Sequence, residues 1–160
     1  MLRSLGLTDE EAREATQETF LQAWKSIHTF RGQSKDSTWL LGIASNVGRK
    51  FLKKQKRFSF FKRTLEKEQV VEPKTTQVLP EHALEHKRNS ERLTELIGHL
   101  KGKRRVIFVL YHYEELTVEE IAQALSLPKG TIRSNLQRAK GEVQQLWFST
   151  QSTSQKAGSR

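Results

Sequence analysis

The chain has 160 residues, enough for one ordinary domain or two small ones. Lys and Arg number 28 against 18 Asp and Glu, a formal charge of +10 that predicts attraction to a polyanion: nucleic acid, an acidic protein or an anionic membrane. The absence of cysteine excludes a disulfide scaffold and thiolate metal sites, and the longest wholly apolar run, Val106 to Tyr111, is far too short to span a bilayer. The N-terminus lacks an apolar core of signal-peptide length, so the chain reads as cytoplasmic with no membrane insertion. Three prolines and few runs of two-residue alternation point to an all-α protein.

The first predicted helix runs from Asp9 to Ile27. Ala12, Ala15, Thr19, Phe20, Ala23, Trp24 and Ile27 recur at steps of three and four, the stripe of an amphipathic helix. Thr8 is its expected N-cap, with Asp9, Glu10 and Glu11 complementing the helix dipole. Glu14, Gln17, Glu18, Gln22 and Lys25 fall on the opposite face. The polar stretch Phe30 to Ser37 with Gly32 marks a loop. A second helix is expected from Thr38 to about Lys54, burying Trp39, Leu40, Ile43, Ala44, Val47 and Phe51. Arg49 to Arg63 then holds eight basic residues, no acid and four phenylalanines, at positions 51, 58, 60 and 61. That mixture suits a nucleic-acid groove, and it equally suits a helix end with its rings packed on the core.

Residues 64–80, with Pro73 and Pro80, read as a flexible linker between two small helical domains, 1–63 and 81–148. In the second domain, helices are expected over Glu81 to His99 and Lys103 to Tyr113, interrupted at Lys101-Gly102. Leu84, Leu93, Leu96, Ile97, Leu100, Val106, Ile107, Leu110 and Tyr111 are the candidate core. Thr117 and Glu120 form a capping-box signature for a short helix through Leu125. Ser126-Leu127-Pro128 turns the chain, with Pro128 tolerated at the first helical position and Ser126 where a left-handed glycine is common. Ile132, Leu136, Ala139 and Val143 then share one face, leaving Arg133, Ser134, Gln137 and Arg138 away from it. This is helix–turn–helix spacing, with a second helix chemically able to read base edges in a major groove. Residues 149–160 lack apolar side chains for a core and read as a disordered tail.

These motifs resemble the sigma-70 family of bacterial transcription initiation factors, in particular its extracytoplasmic-function (ECF) group. HLKGKRRVIFVLYHYEELTVEEIAQALSLPKGTIRSNLQRAK is similar to region 4, and DEEAREATQETFLQAWKSIHTFRGQSKDSTWLLGIASN to region 2. The resemblance implies a promoter-specificity subunit that binds core RNA polymerase and promoter DNA, with an anti-sigma factor as a further partner. It assigns polymerase binding to Glu14, Gln17, Glu18 and Gln22. It assigns minus-ten recognition and melting to Arg31, Gln33, Ser34, Lys35, Asn46, Arg49, Lys50, Lys53 and Lys54, with Trp39 in the core. It assigns minus-thirty-five contacts to Lys129, Thr131, Arg133, Ser134, Gln137 and Arg138. Members of the family usually carry a further helix ahead of the acidic start of region 2.2, covering the apolar faces of Phe20, Trp24 and Ile43; here Met1 to Leu7 stand there. Lys101 and Asn135 also depart from the usual proline and basic residue.

No catalytic constellation, cofactor or metal site is expected. His82 and His86 have zinc-like spacing in EHALEH without a further ligand cluster. The alternative is a truncated sigma-like regulator that binds DNA or polymerase without initiating.

Overall fold

The computed structural model describes residues 1–65 and 92–157, with side chains over 1–59 and 92–149. All secondary structure among the described residues is helical: a 3-10 turn at Arg3–Leu5, α1 (Asp9–Ser26), a 3-10 turn at Ile27–Thr29, α2 (Asp36–Leu65), α3 (92–99), α4 (Gly102–His112), α5 (Val118–Leu125) and α6 (Lys129–Ala157). Residues 64 and 65 of the expected linker belong to α2, and its remainder, residues 66–80, lies outside the described residues with Leu84, His82 and His86, as do the side chains of Phe60 and Phe61.

Thr8 caps α1 as a full capping box. Its hydroxyl accepts from the Glu11 amide at 3.2 Å, and the Glu11 carboxylate accepts from the Thr8 amide at 2.9 Å. The buried face of α1 is narrower than its apolar pattern. Ala12, Ala15, Thr19 and Ala23 are buried, and small side chains let α1 and α2 approach closely. Phe20, Trp24 and Ile27, expected in the core, are 59%, 80% and 57% exposed. An apolar arc spanning all seven positions is wider than the single helix α2 can cover.

α2 is longer than its periodicity suggests, running to Leu65. Ala44, Val47, Phe51 and Leu52 are buried, whereas Trp39, Leu40 and Ile43 are half-buried. Phe51 is therefore a core residue and only Phe58, among the described rings of the basic run, is exposed. Two glycines set the neighbours of α2. Any Cβ at Gly42 would run into the Ala124 carbonyl oxygen on α5, and one at Gly48 would stand 2.8 Å from a methyl of Leu5.

The two halves share one buried cluster. Leu5, Leu7, Ala15, Val47 and Phe51 join Ile97, Leu100, Val106, Ile107, Leu110, Ile121, Ile132, Leu136 and Ala139. Arg105 is enclosed at this junction, 8% exposed. Its guanidinium donates to the carbonyls of Leu5 at 2.8 Å, Ile97 at 3.1 Å and Gly98. Burial pushes its pKa down from the ordinary arginine value.

The second half follows its expected register. Thr117 and Glu120 form the capping box of α5. Ser126 sits in the left-handed region at φ 51°, ψ 49°. The Leu127 amide closes the turn on the Ala122 carbonyl at 3.0 Å, a Schellman arrangement. Pro128 lies one position earlier than expected: its carbonyl accepts from Thr131 and Ile132, so it caps α6. α6 continues to Ala157, beyond the expected end at 148.

Candidate nucleic-acid interfaces

The first surface belongs to α6. Ile132, Leu136 and Ala139 are buried toward α4 and α5, which turns Arg133, Ser134, Gln137 and Arg138 outward, all exposed. Lys129 is exposed and Thr131 half-buried at the helix start. The six residues expected to read or hold DNA thus lie along the first turns of one helix. Lys129 is engaged by Glu119 at 3.0 Å, and Arg133 approaches the same carboxylate at 4.0 Å. The hydrogen bond from Lys129 leads the interactions that hold the Glu119 carboxyl below the ordinary range. Asn135 donates back to the Thr131 carbonyl at 2.7 Å and Ser134 to the same oxygen at 3.1 Å. Asn135 is therefore tied to its own helix, while the side chains of Gln137 and Arg138 make no hydrogen bond or ion pair within the described residues.

The second surface is the loop ahead of α2. Phe30 and Trp39 stack with centroids 5.0 Å apart and planes tilted by 34°. They wall a pocket of about 280 Å³ rimmed by Thr29, Arg31, Gln33 and Ser34. Trp39 is half-buried and faces this pocket, so it does more than fill the core. The far wall is Gln123 of α5, a residue not expected at the site. Lys35 is likewise occupied: its ammonium meets Glu120 at 2.8 Å. Glu120 serves the α5 capping box as well, and the Lys35 hydrogen bond leads the interactions that pull its carboxyl down to about 2.

The basic face of α2 divides. Asn46 and Lys54 are exposed, and Lys50 leans to Glu18 on α1 at 3.3 Å. Arg49 and Lys53 line a cleft facing α4. The four expected strand-holding cations therefore do not form one track.

The polar face of α1 divides too. Glu14, Glu18 and Gln22 occupy successive turns, with Gln22 donating to Glu18 at 2.8 Å. Gln17 instead lines an apolar groove of about 650 Å³ with Arg13, Phe20, Leu40 and Leu41. A second groove of about 340 Å³ continues past Phe20 to Trp24, Ile27 and Trp39.

Among the described residues no group of three His, Cys, Asp or Glu side chains is placed to hold a metal, and no helix is long and apolar enough to cross a membrane.

Two family models match the chain: sigma-70 region 2 over residues 1–58 and sigma-70 region 4 over residues 90–143. The ECF RNA polymerase sigma factor SigW of Bacillus subtilis is 30% identical over 138 residues, spanning 81% of this chain and 72% of SigW. The RNA polymerase sigma factor YlaC of the same organism is 29% identical over 134 residues, 84% of this chain and 76% of YlaC. Among solved structures, the fold is similar to that of the sigma factor RpoE of Bartonella quintana, crystallised with the anti-sigma factor NepR. The TM-score is 0.64 at 21% identity, covering 92% of this chain and 87% of RpoE.

Proposed function

This chain belongs to the extracytoplasmic-function group of the sigma-70 family of RNA polymerase sigma factors, and on that footing we propose how its residues divide the work of promoter-directed initiation. α6 reads the minus-thirty-five element with Arg133, Ser134, Gln137 and Arg138, while Lys129 and Thr131 hold phosphates. The Phe30–Trp39 pocket takes a base of the minus-ten element, with Arg31, Gln33 and Ser34 supplying hydrogen bonds, and Asn46, further along α2, reads a base outside the pocket. Arg49, Lys50, Lys53 and Lys54 hold the separated strand once α4 moves away from Arg49 and Lys53 and Lys50 leaves Glu18. Glu14, Glu18 and Gln22, with Gln17 beside them, meet core RNA polymerase.

Because α5 closes the Trp39 pocket and pairs with Lys35, the two halves must part before the minus-ten element can enter. An anti-sigma factor, such as the one bound to the RpoE structure, fits a molecule whose two halves change their spacing. The chain works in the cytoplasm and contributes no catalytic group of its own; bond formation is left to the polymerase.

The observation that carries this reading is the division of α6 between a buried apolar face and an outward face bearing Arg133, Ser134, Gln137 and Arg138. Run-off transcription with core enzyme on a selected promoter tests it. A promoter-dependent transcript that weakens with Glu18→Lys at the polymerase step and loses minus-thirty-five selectivity with Arg138→Ala is the expected result. DNA binding without any transcript would instead favour a sigma-like regulator that does not initiate.

A further inference from the structure

Between α2 and the start of α4 lies a cleft of about 150 Å³. α2 contributes Arg49, Lys53 and Lys56, and α4 contributes Lys103 and Arg105, with Leu52 and Leu100 completing the walls. No carboxylate lines it, and none of its five cations pairs with an Asp or Glu among the described residues.

Arg105 makes the imbalance acute. It is more than nine-tenths buried, and its hydrogen bonds go to neutral carbonyls of Leu5, Ile97 and Gly98, which satisfy N–H groups but bring no negative charge. Gly102, the first residue of α4, also lines the cleft, and no side chain caps that helix end. Its free amides add partial positive charge. Docking of the two halves therefore drives three cations of α2 toward two cations and a helix N-terminus of α4. That is repulsive unless an anion enters.

We propose that this cleft binds a compact oligophosphate, two or more linked phosphate groups, which bridges α2 and α4 in the docked chain. Its volume is below the roughly 300–1,000 Å³ of pockets that enclose a drug-sized ligand, so it admits the phosphates and leaves any attached group outside. One monovalent anion would leave most of the five cations uncompensated, whereas linked phosphates concentrate several charges in a small ion. A nucleic-acid strand carries one charge per phosphate and tracks an extended groove, while this cleft is small and built from two elements. The site goes beyond promoter recognition but shares Arg49 and Lys53 with it: they line the cleft while the halves are docked and serve the separated strand once the halves part.

Titration calorimetry of the full chain with inorganic tripolyphosphate tests the site. One ion binds per chain, and the exposed pair Lys56→Gln with Lys103→Gln weakens binding by at least about tenfold. Lys25→Gln with Lys140→Gln removes the same charge elsewhere and changes binding by less than about twofold. Tripolyphosphate raises the unfolding temperature of the unaltered chain more than that of the cleft variant. Equal losses in the two variant pairs, or several ions bound per chain, would overturn the site. A single-stranded DNA decamer is titrated alongside. If it binds tighter than tripolyphosphate with the same sensitivity to Lys56 and Lys103, the cleft holds a strand and the oligophosphate assignment fails.

Discussion

The two surfaces proposed to meet DNA are covered to very different degrees by the same short helix. On α6, Ser134, Gln137 and Arg138 face outward, Ser134 bonded only to its own helix, and Lys129 and Arg133 are drawn to Glu119 on α5. Beside α2, the Trp39 pocket is closed by Gln123 and Lys35 is held by Glu120. Consecutive residues on a helix point about 100° apart, so neighbouring glutamates of α5 can serve opposite partners. The proposed upstream reader is exposed in the docked chain, and the proposed downstream pocket is closed. α5 is therefore more than the structural first half of a helix–turn–helix.

The largest test removes the junction on which both surfaces stand. Arg105→Ala leaves three carbonyl acceptors without their buried donor and should cost about 3 kcal/mol or more in urea unfolding. A loss under about 1 kcal/mol would mean that Arg105 does not hold the halves together. Next, Gly42→Leu drives a side chain into the Ala124 carbonyl and should weaken docking by about 1–3 kcal/mol. Small-angle scattering should then show a larger molecule, and a minus-ten single strand should bind more tightly. Duplex binding by α6 should stay unchanged, which would sharpen the contrast; equal gains at both surfaces would erase it.

Smaller effects separate the two glutamates. Glu119→Gln frees Lys129 and Arg133, so minus-thirty-five binding should gain affinity and its salt dependence should steepen by about one counterion. An unchanged slope would mean that Glu119 does not compete with phosphate. The Lys35–Glu120 pair gives a pH signature. The Lys35 hydrogen bond, followed by those from the Thr117 cap, depresses the Glu120 carboxyl from its ordinary 4.5 to about 2 in the folded chain, so an unfolded chain binds the proton more readily between those values. The pair's contribution is present above about pH 4.5 and is lost as pH falls toward 2. The stability difference between the unaltered chain and Lys35→Met should be flat from pH 8 to 5 and vanish near pH 2. A difference that changes around neutrality would point to another group.

Local features were legible where their causes are local. The steps of Ile132, Leu136 and Ala139, the Thr117–Glu120 capping box and the strained Ser126 all depend on residues within a turn or two of one another. Long-range features were not. Phe20, Trp24 and Ile27 carry the right period, but periodicity says which arc is apolar and not how much of it a partner will cover. Arg105 reads as one more cation in a basic chain, yet carbonyls from Leu5, Ile97 and Gly98 converge on it only after the chain folds. Gln123 joined the Trp39 pocket in the same way, because nothing near it in sequence points to α2. Gly42 and Gly48 offered a hint: a glycine inside a helix is a poor helix former, and here the missing side chains admit α5 and Leu5.

That close approach also has a consequence for how tightly the chain can hold a promoter. A partner that needs the halves apart sees its dissociation constant multiplied by the reciprocal of the undocked fraction. A docking preference of about 2.7 kcal/mol leaves roughly one molecule in a hundred undocked and weakens apparent affinity about a hundredfold. Each further change of about 1.4 kcal/mol at the α2–α5 contact moves apparent affinity tenfold. Position 42 can thus tune the gain of the whole response while every side chain proposed to read a base stays as it is.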